Sequence, residues 1–205
     1  MVHRLRRGEN TSLTALAPDA SRVSVGVGWE LDVVAGTLDA DVFAVLLGAD
    51  GQVLSDGHLV FYNNDASPEG AVRLSGEIEG GEPGSDRQRL VVDLAGAPPE
   101  VERILVALAV YGVGEAAEEP RTLRDVRDLY LRVLADPAEG TVDAGTGPAD
   151  GTELVRYDIE LATTIENALV LGEVYRLGEE WKVVATAQGY ASGLRGVATD
   201  FGVHV

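Results

Sequence analysis

The residues of this chain that are best suited to chemistry are oxygen donors that follow an apolar strand. Phe61-Tyr62-Asn63-Asn64-Asp65 changes abruptly from aromatic side chains to two amides and a carboxylate, and residues 76–86 add a glycine-rich acidic segment. Carboxylate, amide and backbone carbonyl oxygens are the ligands that calcium takes, and glycines let a loop curl so that its carbonyls reach an ion. The pattern indicates a calcium site, with a long polar turn between two strands as the alternative.

Further oxygen donors lie on loops that could meet at one end of the predicted sheets. The whole set is Asp39, Asp41, Asn63, Asn64, Asp65, Glu77, Glu79, Glu82 and Asp86. The sequence lacks the EF-hand consensus, so a site would have to be assembled from separate loops. Asp and Asn side chains in turns usually bond to their own backbone, so only the convergence of several would make a cation site.

Catalytic motifs are scarce. His3 and His204 lie near the termini, His58 lies beside a predicted strand, and the chain has no cysteine. The sequence contains no Gly-x-Ser-x-Gly, His-Glu-x-x-His or Walker motif. Paired carboxylates could support hydrolysis, but a chain with 34 acidic residues will show such pairs by chance. We therefore predict a non-enzymatic protein, with a carboxylate-dependent hydrolase as the remote alternative.

The charge of the chain limits its partners. A net charge of -18 argues against nucleic acid and anionic membrane surfaces, since both require cationic patches, and it favours cations or basic partners. No apolar run approaches the ~20 residues of a membrane span. The basic N-terminus, residues 1–8, lacks the apolar region of a signal peptide. These observations predict a cytoplasmic protein without direct membrane insertion.

The elements that would position these residues are mostly strands, because apolar residues recur with a period of two. The predicted strands are 22–29, 42–47, 52–54, 59–62, 71–75, 89–93, 103–111, 129–135, 153–159, 168–176 and 181–188. Turns are indicated at Asp50-Gly51 and Gly178-Glu179. So many short strands predict an all-β fold, a two-sheet β-sandwich with acidic loops at one end, formed by residues 1–205 as one domain.

Helix is expected in only two places. Leu194, Val197, Ala198 and Phe201 share one helical face, which predicts a short C-terminal helix that closes an open end of the sandwich. Ser192 would cap its start and Gly202 its end. A second short helix is predicted at 119–127. Residues 136–151 are expected to form a surface loop.

Motifs along nearly the whole chain resemble the tellurium-resistance TerD family. Their positions are 7–13, 25–30, 38–40, 55–56, 61–64, 126–127, 156–158, 172–176, 181–182 and 188–196. The most specific of them is Gln188-Gly189-Tyr190-Ala191-Ser192-Gly193-Leu194-Arg195-Gly196. The resemblance implies a β-sandwich with calcium sites on acidic loops. It also implies a role in bacterial tellurite and stress resistance, with partners among other stress-operon proteins, some of them membrane-associated, and without a settled enzymatic activity.

The chain departs from the family pattern mainly by losing carboxylates. Thr37 stands where the family has Asp before Leu-Asp-Ala, and Gly112 replaces the Asp of Tyr-Asp. In the acidic loop, Gly84, Arg87 and Gln88 stand at carboxylate positions, and Arg87 would repel a cation. The ligands carried over are Asp39, Asn63, Asn64, Glu77, Glu82 and Asp86. Because affinity follows ligand charge, the expectation is weakened or lost calcium binding, the latter making the chain a metal-free interaction scaffold.

Overall fold

The computed structural model describes residues 1–32, 38–76, 78, 84–113, 121–136, 151–161 and 165–204. Its strands are β1 (His3–Arg4), β2 (Asn10–Ser12), β3 (Arg22–Leu31), β4 (Leu38–Leu47), β5 (Leu59–Val60), β6 (Val72–Ser75), β7 (Gln88–Asp93), β8 (Arg103–Gly112), β9 (Val126–Ala135), β10 (Thr152–Asp158), β11 (Ala168–Leu177) and β12 (Glu180–Tyr190). The α-helices are α1 (Leu13–Leu16) and α2 (Gly193–Asp200). Neither has the length or apolar character needed to cross a bilayer.

The strands form two six-stranded sheets, which confirms the predicted β-sandwich. The first sheet has the order β1-β10-β9-β3-β7-β6 and the second β2-β12-β11-β8-β4-β5. Within the described strands, β1 runs parallel to β10, and the remaining pairs are antiparallel. The N-terminal segment passes from the edge of the first sheet to the edge of the second, because β1 pairs with β10 and β2 pairs with β12.

The core between the sheets is built from alternate residues of the long strands. Val25 and Val27 of β3 and Val42 and Ala44 of β4 belong to this inner cluster, and each is fully buried. Successive side chains of a strand point to opposite faces. The residues between them therefore lie on the outer faces of the two sheets.

The C-terminal helix lies on an outer face of the sandwich. Val197 and Ala198 of α2 belong to a second buried cluster with Val45 of β4, Ala107 of β8 and Val170 of β11, and α2 contacts β8, β11 and β12. The prediction that α2 closes an open end was therefore wrong. The physical reason is the continuous apolar run of β8, because a strand without polar alternation must be covered on both faces.

Of the two caps predicted for α2, the glycine cap at Gly202 is confirmed and the side-chain cap at Ser192 is wrong. Ser192 occupies the N-cap position but makes no side-chain capping hydrogen bond. At the other end, Gly202 has φ +81°. The amides of Gly202 and Val203 donate to the carbonyls of Thr199 and Ala198. This arrangement is a Schellman motif, which requires a left-handed residue and hence favours glycine.

Two further predictions need correction. In the described part of 119–127, a single 3-10 turn (Leu123–Asp125) leads into β9 at Val126, so the predicted α-helix is absent there. The segment 52–54 contributes only an isolated bridge between Leu47 and Val53 rather than a strand. The turn before it does form, with Gly51 at φ +76°.

Candidate functional site

Two predicted oxygen donors, Asp39 and Asp41, lie side by side near the start of β4. Both fall on the outer face of the second sheet, because Ala40 and Val42 point into the core. Tyr111 of β8 lies directly opposite Asp39, and its hydroxyl donates a hydrogen bond to the Asp41 carboxylate. Burial, reinforced by that hydrogen bond and by the charges of Asp41 and Asp39, raises the pKa of Tyr111. We name Asp39, Asp41 and Tyr111 the acidic edge.

At the acidic edge, Asp39 is the residue with a carboxylate oxygen that accepts no hydrogen bond from a described residue. Gln88 of β7 reaches across from the first sheet, and its Nε2 donates to Asp41 Oδ1 at 3.0 Å. Gln88 Oε1 accepts from the amide of Val42 at 2.6 Å. Both oxygens of Asp41 are therefore engaged. Asp39 Oδ1 accepts from the amide of Ala40 at 2.8 Å, and its other oxygen has no partner among the described residues.

The two asparagines of the predicted site lie in a tight turn. Phe61 and Asn64 exchange backbone hydrogen bonds of 2.9 Å in both directions. Asn64 Nδ2 donates to the carbonyls of Gly57 at 3.0 Å and Leu59 at 2.7 Å. Asn64 thus fastens the neighbouring loop, while Asn63 is exposed at the tip of the turn.

Asp86, another predicted calcium ligand, lies apart from the acidic edge. Its carboxylate has no exposed surface and accepts from Arg89 Nε at 2.5 Å, from Arg132 Nε and Nη2 at 2.7 and 3.0 Å, and from the Tyr130 hydroxyl at 2.9 Å. Burial acts to raise the pKa of Asp86, but hydrogen bonds and charge from Arg132 and Arg89 outweigh it and hold the pKa below its usual value. We name Asp86, Arg89, Arg132 and Tyr130 the arginine clamp.

A glycine in β3 makes room for the arginine clamp. Gly26 pairs in register with Arg89 of β7 and Arg132 of β9, so the two arginines flank it on the outer face of the first sheet. A Cβ on Gly26 would lie 2.4 Å from Asp86 Oδ2. The Asp86 carboxylate therefore rests directly on this glycine. Because Asp39 lies on the outer face of the other sheet, the structure does not bring Asp86 together with it.

Other carboxylates at this end of the sandwich are also paired with arginine. Arg87 Nη2 binds Glu30 Oε2 at 2.7 Å, and its Nε donates to the Trp29 carbonyl at 3.1 Å. Asp32 binds Arg127 across the neighbouring strand ends. Arg87 therefore neutralises Glu30.

The fit of these residues to a cation is partial. Asp39 and Asp41 are adjacent, Asp86 is saturated by the arginine clamp, and Glu77 and Glu82 lie outside the described residues. Within the described ranges, no group of three or more His, Asp or Glu side chains is placed to hold a metal ion. A calcium ion at the acidic edge would need additional oxygens from beyond those ranges.

Sequence reasoning missed the side chains that hold these carboxylates in place. For the Tyr111-Gly112 pair, only the glycine was considered in the sequence-based prediction. No role was assigned to Tyr130 or Arg132. One signal was available, since glycines at outward positions of a strand mark a close approach by another group. Gly26 receives Asp86, and Gly28 likewise faces the ring of Tyr130, 2.3 Å from where a Cβ would lie.

Comparison with known proteins links this architecture to one family. A family model described as TerD domain matches residues 1–201. The chain is similar to a tellurium resistance protein TerD of Serratia marcescens, with 32% identity over 201 residues, 98% of this chain and 97% of that protein. General stress protein 16U of Bacillus subtilis is 30% identical over 209 residues, covering both chains fully.

A solved structure shows the same fold. It is a homologue of telluride resistance protein (TerD) from Streptomyces coelicolor A3(2), which superposes with a TM-score of 0.63 at 18% identity. The match covers 87% of this chain and 95% of that one.

Proposed function

Because this chain belongs to the TerD domain family, we propose that it is a non-enzymatic protein of bacterial stress response and tellurium resistance. Its relatives include a tellurium resistance protein and a general stress protein, each aligned over nearly its full length. In this role the chain acts by binding, and its protein partners belong to the same stress operons.

The ligand that the site supports best is a single weakly held calcium ion at the acidic edge. One observation carries this proposal: Asp39 has a carboxylate oxygen without a partner in the described residues, next to a second carboxylate, Asp41. Asn63 and the predicted ligands Glu77 and Glu82 would supply further oxygens. Affinity is low because calcium affinity follows the number of charged ligands, and the arginine clamp removes Asp86 from the set.

A calcium titration followed by thermal melting tests the proposal. An ion that binds only the native state at 100 times its dissociation constant stabilises by about 2.7 kcal/mol, or about 5–10 °C for a chain of this size. Asp39→Ala should abolish that shift and leave the melt in EGTA nearly unchanged. Asp19→Ala is the matched control, since Asp19 is an exposed carboxylate away from the site. An unchanged calcium response in Asp39→Ala would place the site elsewhere.

A second candidate is a metal-free interaction scaffold. The pairing of Asp86, Glu30 and Asp32 with arginines favours it, because internal cations then neutralise carboxylates at this end of the sandwich. In that case millimolar calcium leaves the wild-type melting temperature unchanged.

Little supports the hydrolase alternative. Asp158 and Glu160 line a common cleft, but Asp158 binds both Arg4 and Arg156, and Glu160 is exposed. Glycoside hydrolysis requires a carboxylic acid that stays protonated in a shielded pocket. Neither side chain has those surroundings.

A further inference from the structure

A cleft opens where the N-terminal segment crosses between the sheets. The amide of Leu5 donates to the Arg156 carbonyl of β10 at 2.9 Å, and the amide of Gly8 donates to the Ala185 carbonyl of β12 at 2.7 Å. The cleft between these anchors has a volume of about 440 Å³. That volume lies within the range of small-molecule sites, which combine an apolar lining with a few converging polar groups.

Two arginines line this cleft, although the protein is strongly acidic. Arg6 and Arg7 both line it, and among the described residues neither guanidinium has an ion-pair partner. The neighbouring Arg4 and Arg156, by contrast, are both bound to Asp158, at 2.5 and 2.7 Å.

Two carboxylates, Asp158 and Glu160, also line the cleft. Asp158 is already bound by Arg4 and Arg156, and beside the cleft Glu9 Oε2 accepts the backbone amide of Arg6 at 2.8 Å. Arg6 and Arg7 are therefore the lining guanidiniums that no described ion pair neutralises, in a chain of net charge -18.

The cleft is also lined by a tyrosine whose hydroxyl can donate a hydrogen bond. Tyr157 is 5% exposed and lines the cleft, yet its hydroxyl makes no hydrogen bond within the described part of the chain. Burial raises the pKa of Tyr157, and the charge of Arg7 acts weakly in the opposite direction, so the hydroxyl keeps its proton at neutral pH. The hydroxyl is not one of the buried polar atoms that lack a partner, so it reaches the water of the cleft and is available to donate to a ligand.

The opposite wall has an unusual backbone. Ala187 of β12 lines the cleft with φ +68°, at a β-bulge where the pairing shifts between Val170 and Gly172 of β11. Such a conformation is costly for a residue with a Cβ, and bulges often re-aim side chains beside binding sites. Together with Leu5 and the ring of Tyr157, the Ala187 methyl group supplies apolar surface.

We propose that this cleft binds a small organic anion, a phosphate or carboxylate attached to a compact apolar body. Arg6 and Arg7 bind the anionic group, the Tyr157 hydroxyl donates a hydrogen bond to it, and the body lies against Leu5 and Ala187. Guanidinium groups suit this task because they present several donors to a planar or tetrahedral oxyanion. The site is independent of the acidic edge, so either can fail without the other.

The experiment is a titration of the full chain with phenyl phosphate, benzoate and inorganic phosphate, followed by calorimetry and by amide chemical shifts. We expect phenyl phosphate and benzoate to bind more tightly than inorganic phosphate, with shifts concentrated at residues 5–7, 157 and 187. Arg7→Gln and Tyr157→Phe should each weaken phenyl phosphate binding about tenfold, as expected for a hydrogen bond to a charged group. The calcium response of Arg7→Gln should match wild type.

The matched control is Arg195→Gln, which removes an exposed arginine of α2 with no described ion pair. It should bind phenyl phosphate like wild type. Three results would overturn the proposal: no binding of any probe at millimolar concentration, equal weakening by Arg195→Gln and Arg7→Gln, or retained affinity in both Arg7→Gln and Tyr157→Phe. Because Arg7 is exposed, its variant tests the site even if Tyr157→Phe unfolds.

Discussion

Replacing Asp86 by asparagine separates a structural carboxylate from a calcium ligand. Asp86→Asn keeps the shape of the side chain but removes the charge that Arg89 and Arg132 share. Arg89 is 9% and Arg132 20% exposed at the side chain, so both guanidiniums would lose the buried carboxylate that they share, and Arg132 would keep its ion pair with Glu153. Breaking a buried ion pair in this way costs about 3–5 kcal/mol.

The loss can be measured by urea unfolding and by thermal melting. For a domain of this size it corresponds to a melting temperature about 6–20 °C lower. Asp158→Asn is the matched control, because Asp158 also binds two arginines but is 53% exposed, and exposed pairs contribute less than about 1 kcal/mol. We expect the same loss in Asp86→Asn with calcium and with EGTA.

Acid should reduce the difference between wild type and Asp86→Asn. The arginine clamp holds the pKa of Asp86 below its unfolded value, so its stabilisation is complete above about pH 4 and is lost as the pH falls through the folded value. A loss below about 1 kcal/mol at neutral pH, or one that appears only when calcium is present, would refute this account of Asp86.

Two backbone positions give further predictions. Ala187→Gly should raise the free energy of unfolding by up to about 1 kcal/mol, because φ +68° penalises a Cβ that glycine lacks; destabilisation in urea would contradict this. Gly26→Ala should lower it by about 1–3 kcal/mol, because the new Cβ would lie 2.4 Å from a carboxylate fixed by two arginines. Gly76→Ala, where a Cβ meets nothing within 4 Å, should melt like wild type, and equal losses in both variants would refute the packing argument.

The strands were largely predictable because their pattern is local. Alternation placed β3 and β12, and a continuous apolar run placed β8, within a few residues of their observed ends. The short strands β1 and β2 were missed because neither segment has room for the pattern. The position of α2 also depends on a partner distant in sequence, the outer apolar face of the second sheet.

The candidate site was predictable only in part, because it depends on which strands are neighbours. Asp39 and Asp41 share a face by their spacing alone. The arginine clamp, however, requires β3 to lie between β7 and β9, which brings Arg89 and Arg132 to either side of Gly26. Nothing within the loop that carries Asp86 identifies Arg132, so its carboxylate was interpreted as a calcium ligand.

The strand order has a consequence for how these molecules behave at high concentration. The outermost positions of the two sheets belong to β1, β6, β2 and β5, which are two, four, three and two residues long. A neighbouring chain that added a strand there would find few free backbone groups, and short edges are one way in which β proteins resist edge-to-edge aggregation. Mutual repulsion between molecules of charge -18 acts in the same direction. Among the described strands, short edge strands and like charge thus both oppose fibre-like assembly.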